Sequence, residues 1–312
     1  MQIVSFSTLE LHSSMSIVLP DQPLIREQVS LSGLTSMKVG GAAEYFTSPR
    51  SADELAASLA WASDRQLPIT VIGAGSNLLI SDNGLKGLVI CTRHLRGIKF
   101  DEQTGQVTAA AGEPVARLAM QIANHGWNGF EWAVGIPGTV GGLVVMNAGA
   151  QGGCAADCVV EVQTVTLAGK AKLIYPKDLD FSYRTSALQE SLYLVTGATL
   201  KFQTGGEPEV IAADTDAKLK ARHTTQPYHL PNCGSVFRNP LPQFAAKLIQ
   251  DAGLKGYQIG NAQISELHAN FIVNLGNAKA QDIFSLIEHI KAVISNRYGV
   301  ILETEVKMLG NF

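Results

Sequence analysis

Ile69-Thr-Val-Ile-Gly-Ala-Gly-Ser-Asn77 reads as a short β-branched strand running directly into a glycine turn, with Leu78 next in line. Gly73 and Gly75 free the backbone to curl around Ala74 and Ser76, so that successive N–H groups aim at one point. Such a nest suits a diphosphate; an ordinary turn is the plainer alternative. The dinucleotide fingerprint G-x-G-x-x-G is not met, because its third glycine would fall on Leu78 and no helix clearly opens there. A doubly wound nicotinamide-binding sheet is therefore disfavoured.

A second glycine stretch, Gly135-Ile-Pro-Gly-Thr-Val-Gly-Gly142, is followed by Asn147-Ala-Gly149. Gly135, Gly138, Gly141 and Gly142, with Pro137 among them, are expected to avoid strand and helix interiors. Ile136, Val140 and the apolar flank set this stretch apart from a flexible linker. They leave a backbone surface around Thr139 on which a flat or anionic ligand could lie close. Two such loops in one compact region suit a large cofactor such as FAD.

Outward from these loops the texture alternates. Ser51-Ala-Asp-Glu54 reads as a capping box that opens a helix with Leu55, Leu59 and Ala62 on one stripe, ended by Leu67-Pro68. Glu113 to His125 reads as a second helix, with Gly126 just past its end. From Cys158 the pattern becomes strand-like through Thr166, and a strand pair is expected within Leu192 to Phe202. Thr224 to Pro231 carries two prolines and reads as an interdomain link. Beyond it are a helix near Phe244 to Ala252, a strand over Ala269 to Asn274, and a long helix striped by Ile283, Ile287, Ile290 and Ile294. A final strand is expected over Val300 to Met308. The whole pattern points to α+β with at least two layers and up to three domains.

At 312 residues and 46% apolar content, the chain can bury more than one core. A formal charge of −3 without long charged runs favours neither nucleic acid nor an anionic membrane as partner. The first twenty residues read as a loose extension and lack the basic and apolar regions of a signal peptide. No apolar run approaches the roughly 20 residues that a spanning helix needs. Cys91, Cys154, Cys158 and Cys233 lack zinc-site spacing and read as free thiols in a reducing compartment; no metal is expected. A cytoplasmic monomer is the expectation.

Three further patterns carry possible chemistry. Tyr183-Arg-Thr-Ser186 sets the planar fork of Arg184 beside an aromatic ring and two hydroxyls, which suits a carboxylate or enolate as well as it suits an open surface. Cys233-Gly-Ser-Val-Phe-Arg-Asn-Pro240 reads as a turn, and Ser235 has no triad partners nearby. In the last strand, alternation puts Glu303, Glu305 and Lys307 on one face, which by pattern alone is solvated.

Taken together, Val39-Gly-Gly41, the two glycine loops, Asn147-Ala-Gly149, Tyr183-Arg184, Gly234-Ser-Val-Phe-Arg-Asn-Pro240, Ala252-Gly-Leu-Lys-Gly256, His268-Ala-Asn-Phe271 and Leu302-Glu-Thr-Glu-Val306 resemble the UDP-N-acetylenolpyruvoylglucosamine reductase family, in order and spacing, from about Val39 to Gly310. The resemblance is to the shorter subtype, which lacks an extra tyrosine-bearing loop. Leu34 stands where the family usually has asparagine, and Gln151 where tyrosine is common.

The resemblance implies an α+β fold: a two-lobed FAD-binding region of the vanillyl-alcohol-oxidase type plus a C-terminal α+β substrate-binding domain. Its implied limits are an extension over 1–20, lobe one over 21–95 with the strand at 299–312 returning to it, lobe two over 96–223, and the substrate domain over 224–298. It implies non-covalent FAD held by Gly73, Ala74, Gly75, Ser76, Asn77, Leu78, Gly135, Ile136, Pro137, Gly138, Thr139, Gly141, Gly142, Asn147 and Arg222. No histidine lies in either loop to link the flavin covalently. NADPH is the implied hydride donor and UDP-N-acetylglucosamine enolpyruvate the implied substrate, reduced to UDP-N-acetylmuramate for peptidoglycan. Tyr183, Asn239, Lys255 and His268 fall where the family meets the substrate. Arg184 and Glu305 are implied to stabilise charge developing beside the substrate carboxylate, and Ser235 to hand a proton to the adjacent carbon.

Overall fold

A computed structural model describes residues 24–312, so the extension read at 1–20 lies outside the described residues. In chain order, β1 (Arg26–Ser30) and β2 (Ala42–Thr47) precede α1 (Ala52–Asp64), and β3 (Ile69–Ile72), β4 (Leu78–Ile80) and β5 (Leu85–Cys91) follow. Next come β6 (Ile98–Asp101), β7 (Gln106–Ala110), α2 (Val115–Asn124), α3 (Val140–Val145), and the short pair β8 (Gly149–Ala150) and β9 (Gly153–Cys154). β10 (Val159–Thr166), β11 (Ala171–Ile174), β12 (Tyr193–Lys201) and α4 (Pro208–Thr225) lead to α5 (Ala245–Asp251). The chain ends through β13 (Gln258–Ile259), β14 (Ala262–Ile264), β15 (Ile272–Asn274), α6 (Ala280–Tyr298) and β16 (Lys307–Leu309).

Three sheets organise three regions. The first has the order β1-β2-β5-β3, with β5 parallel to both β2 and β3. Its buried side chains Phe46, Ile72, Val89 and Cys91 lie in one cluster, and Leu88 and Ile90 pack with Leu55 and Leu59 of α1 in another. The second, β11-β10-β12-β7-β6, is antiparallel throughout and packs on α2 and α3 through Val107, Leu118, Ile122, Val140 and Leu200. The third, β13-β14-β15, is covered by α6, whose Ile283, Ile287, Ile290 and Ile294 are fully or almost fully buried. Met37, Val39 and Leu79 enter this last core from the first region, and Asn274 Nδ2 donates to Met37 O at 2.9 Å. The carboxy-terminal strand β16 runs back parallel to β4, pairing Lys307 with Leu78.

Several expected elements take a different form. Gly141 and Gly142 lie in the first turn of α3 instead of outside regular structure. The reason is a close approach: N–H groups of Val140 and Gly141 donate to Glu113 O and Ala111 O, and a Cβ on Gly141 would stand 3.1 Å from that of Ala111. Leu192–Phe202 holds one nine-residue strand, not a pair. The final strand is shorter than its alternation, because the segment before Lys307 pairs only at Phe237–Thr304 and then changes partner to β4. Ala269–Phe271 is a turn closed by Phe271 N–H to His268 O, which shortens β15. Of the capping box on α1, Ser51 Oγ does accept from Glu54 N–H, whereas the Glu54 carboxylate accepts from Arg50 N–H one residue early.

Candidate active site

The two glycine loops meet. β3 ends at Ile72, and the turn from Gly73 to Asn77 leads into β4, where Leu78 is tied to Lys307. Gly75 has φ +68°, and a Cβ there would sit 2.2 Å from Leu34 O, so only glycine fits. A Cβ on Gly73 would lie 2.7 Å from Thr139 Oγ1, which puts the second loop in direct contact with the first. Gly138, at φ +143°, has Ser76 Oγ 4.0 Å from where its Cβ would be. Gly141 is turned into the body of the protein, Gly142 and Pro137 are exposed, and Ile136 packs on the second core.

This cleft holds donors without partners. The amides of Ala74, Gly75 and Ser76 donate to no described residue. Thr139 is 3% exposed, and its hydroxyl has no hydrogen-bond partner. An orphaned buried hydroxyl costs about 1–3 kcal/mol, so a ligand is the natural source of its partner. Three free amides and two hydroxyls beside glycines that admit close approach fit the diphosphate and flat ring of FAD. At the far side, Arg222 packs its stem on Gly135 and donates Nε–H to Gln226 Oε1 at 3.1 Å, and the Tyr228 hydroxyl donates to Gly135 O at 2.8 Å. Tyr228 was not among the expected residues; its only signal is an aromatic ring between the prolines of the interdomain link.

Tyr183 and Arg184 form the tip of a tight turn closed by reciprocal bonds between Ser182 and Thr185 at 3.1 and 3.0 Å. Arg184 is held at φ +59°, which costs a non-glycine residue on the order of 1–3 kcal/mol. Three side chains hold that conformation. Asn147 Nδ2 donates to Ser182 O at 2.9 Å, and Gln189 Nε2 and an Nη of Arg238 donate to Arg184 O at 2.9 and 3.2 Å. The guanidinium so placed donates Nε–H to Glu305 Oε1 at 2.9 Å and an Nη–H to Gly149 O at 2.6 Å. The Tyr183 ring lies 5.1 Å from it.

Glu305 is fixed from both sides. Its carbonyl accepts from Asn77 Nδ2 at 3.0 Å, and its N–H donates to Val236 O at 2.8 Å. The glycine nest and the residue next to Ser235 therefore hold the same carboxyl-bearing residue. Ser235 itself follows a bend at Gly234, φ +80°, is half-buried, and its hydroxyl bonds to no other described residue. The solvated face expected from alternation does not form as a unit. The Glu303 side chain is 75% exposed but that of Glu305 only 16%, because Glu305 and Val306 N–H groups converge on Val236 O and bend the chain inward. Arg238 was also missed; its buried Nε lacks a partner, and its other nitrogens reach Arg184 O and Glu303.

Burial pushes the Glu305 carboxyl above the usual carboxylate range, against the opposing pull of Arg184, Arg238 and Arg222. A raised folded-state value means that the group's favourable contribution is complete below its unfolded value and lost as pH rises through the folded one. Glu305→Gln is therefore expected to melt at or above the wild-type temperature at neutral pH, with the gap closing in acid. Thermal melts across that range check this; a neutral-pH loss of stability that disappears in acid would contradict it.

The remaining expected contacts lie in the third region. Asn239 Oδ1 accepts from Ala245 N–H at 3.1 Å and so starts α5, leaving its NH₂ group free for a ligand. His268 lines an open cavity of about 580 Å³ with Phe244, Lys247 and Gln250. Burial and then the Lys255 charge push its imidazole down, and its Nδ1 accepts from Asn270 N–H. Lys255 and His268 share no hydrogen bond with Arg184, Ser235 or Glu305 among the described residues. No metal-ligating cluster occurs among the described residues, and no described helix is long and apolar enough to cross a membrane. The four cysteines are free, with burial pushing Cys233 up to about 12.

Residues 226–309 match the family described as UDP-N-acetylenolpyruvoylglucosamine reductase, C-terminal domain, and residues 42–173 match the FAD binding domain. The UDP-N-acetylenolpyruvoylglucosamine reductase of Trichormus variabilis is 56% identical over 288 residues, covering 92% of this chain and 87% of that protein. The enzyme of the same name from Synechocystis sp. is 53% identical over 291 residues, covering 93% and 92%. Among solved structures, the UDP-N-acetylenolpyruvylglucosamine reductase of Thermus caldophilus superposes with a TM-score of 0.78 at 33% identity, over 92% of this chain and 100% of that one.

Proposed function

The chain belongs to the UDP-N-acetylenolpyruvoylglucosamine reductase family, and from that premise we propose that it reduces UDP-N-acetylglucosamine enolpyruvate to UDP-N-acetylmuramate with NADPH as the electron source. It is a flavin-dependent oxidoreductase of peptidoglycan synthesis. We assign residues 21–95 and 96–223 to the two lobes around FAD, with 299–312 returning to the first, and residues 224–298 to substrate binding. The protein acts in the cytoplasm as a monomer, and through the wall it serves cell shape and division.

The Gly73–Leu78 turn, the Gly135–Gly142 loop, Asn147 and Arg222 would hold FAD without a covalent bond. Bound FAD supplies the hydride that the enolpyruvyl double bond accepts. As that bond is reduced, negative charge builds on the carbon beside the substrate carboxylate. Arg184 faces this charge as a fixed cation, and a protonated Glu305 donates a hydrogen bond to it. Ser235 gives the proton that completes the saturated product. Tyr183, Asn239, Lys255 and His268 orient the sugar nucleotide, Lys255 as a point charge toward its diphosphate.

One observation carries this reading: the Arg184–Glu305 pair, whose carboxyl residue is tethered to Asn77 of the nest and to Val236 beside Ser235. The test is a visible spectrum of the purified protein before NADPH, after it, and after the enolpyruvyl sugar nucleotide. A yellow protein should bleach and then recover with the sugar nucleotide under anaerobic conditions. A colourless protein, or recovery only with oxygen, would refute the reading; the second result would point to an oxidase.

A further inference from the structure

We propose that Arg93 is a positioning residue for the FAD diphosphate: it holds the carbonyls of the glycine nest from behind and so turns the nest's amides toward the ligand. This rests on the FAD reading above and deepens it. Arg93 lies in the short turn Thr92–His94 just after β5, half-buried. Its Nε donates to Gly73 O at 3.1 Å, and one Nη donates to Leu34 O at 2.5 Å and also to Ala74 O. The next carbonyl, Gly75 O, accepts the Ser36 N–H at 3.1 Å and the Ser36 hydroxyl at 3.4 Å.

All three carbonyls of the nest are therefore tied down by residues outside it. In a trans peptide the C=O and the following N–H point in opposite directions. Fixing the carbonyls of residues 73, 74 and 75 thus sends the N–H groups of Ala74, Gly75 and Ser76 the other way. Those are the amides that no described residue accepts. Backbone donors inside a folded protein are nearly always paired, so three free in succession mark a surface built for an acceptor. Without Arg93, Ala74 O would lose its only described partner and Gly73 O would keep only the weak Cys91 thiol donor at 3.9 Å, leaving both peptides free to flip.

Charge adds to geometry. Arg93 forms no salt bridge with any carboxylate among the described residues. A permanently charged guanidinium behind the nest therefore favours an anion in front of it. Lysine would keep the charge, but one ammonium cannot reproduce a planar fork aimed at three carbonyls.

Flavin-free protein titrated with FAD, followed by quenching of flavin fluorescence, tests this. Arg93→Met should weaken FAD by about 10–100-fold, as expected when one or two backbone donors of the nest turn away from a charged diphosphate. Its flavin-free form should melt below the wild type, because the bonds to Gly73 O, Leu34 O and Ala74 O exist without ligand, but added FAD should raise its melting temperature less than it raises that of the wild type. Arg93→Lys should show a smaller loss of affinity. Unchanged FAD affinity in Arg93→Met overturns the proposal, as does an FAD-induced rise in melting temperature equal to that of the wild type. If Arg93→Met does not fold, Arg93→Lys decides, and wild-type affinity there is the overturning result. A wild-type protein that binds no FAD would fail the underlying reading instead.

Discussion

Arg184→Lys should lower the rate of sugar-nucleotide reduction by about 10²–10³, the usual loss when one preorganised group facing transition-state charge is removed. The Arg184 fork is already partly committed: Nε to Glu305 Oε1 and one Nη to Gly149 O. The nitrogen left over can address a substrate carboxylate while the other two keep the plane of the guanidinium fixed. A lysine ammonium is a single centre and cannot do both. The backbone should tolerate the exchange, since the positive φ of Arg184 is held by bonds to its carbonyl from Gln189 and Arg238.

The neutral variant Arg184→Gln separates charge from shape. Losing the guanidinium removes the strongest pull that opposes burial at Glu305, so the carboxyl should move further up. The basic limb of the pH–rate profile, if it reports Glu305, should shift to higher pH. Removing one partner of a buried ion pair can cost about 3–5 kcal/mol when the other charge is stranded. Glu305 escapes most of that by taking a proton, so urea melts should show a much smaller loss than the rate. FAD affinity and flavin reduction by NADPH should be unchanged in both variants. Full turnover in Arg184→Lys would remove Arg184 from the chemistry.

The glycine loops were legible because glycine writes its purpose locally: Gly75 and Gly138 stand at positive φ, and each lies beside the opening. The strand Ile69–Ile72 and the isoleucine stripe of α6 were equally local, set by β-branching and by a 3.6-residue period. Helix α4 was not anticipated, because Ile211 and Thr215 are its only fully buried residues and it rests on α2, from a distant part of the chain. The ion pair joins residues 121 positions apart, and alternation around Glu305 argued for solvent. Only the order of motifs pointed to Glu305; local chemistry did not. Arg93, Arg238 and Tyr228 act through bonds to carbonyl oxygens, which every residue carries, so the sequence bears no mark of the partner.

Ser235→Ala should slow the same half-reaction by about 10²–10⁴, the range for losing a positioned proton donor. Serine is a weak acid in water, so its role depends on surroundings that favour proton release. Ser235 directly precedes Val236, whose carbonyl accepts the Glu305 N–H, and the cations of Arg184, Arg238 and Arg222 all act on the Glu305 carboxyl. The Ser235 hydroxyl is bonded to no other described residue. Flavin reduction by NADPH requires no proton from this position and should proceed at the wild-type rate. Reoxidation by the sugar nucleotide should then become the slow step, visible in stopped-flow traces as a persistently bleached flavin. Ser235→Cys provides the control, since a thiol is the stronger acid in a nearly equal volume and should recover part of the lost rate. If alanine and cysteine variants are slowed alike, Ser235 contributes shape and not a proton; if alanine is not slowed at all, the proton comes from another group or from water.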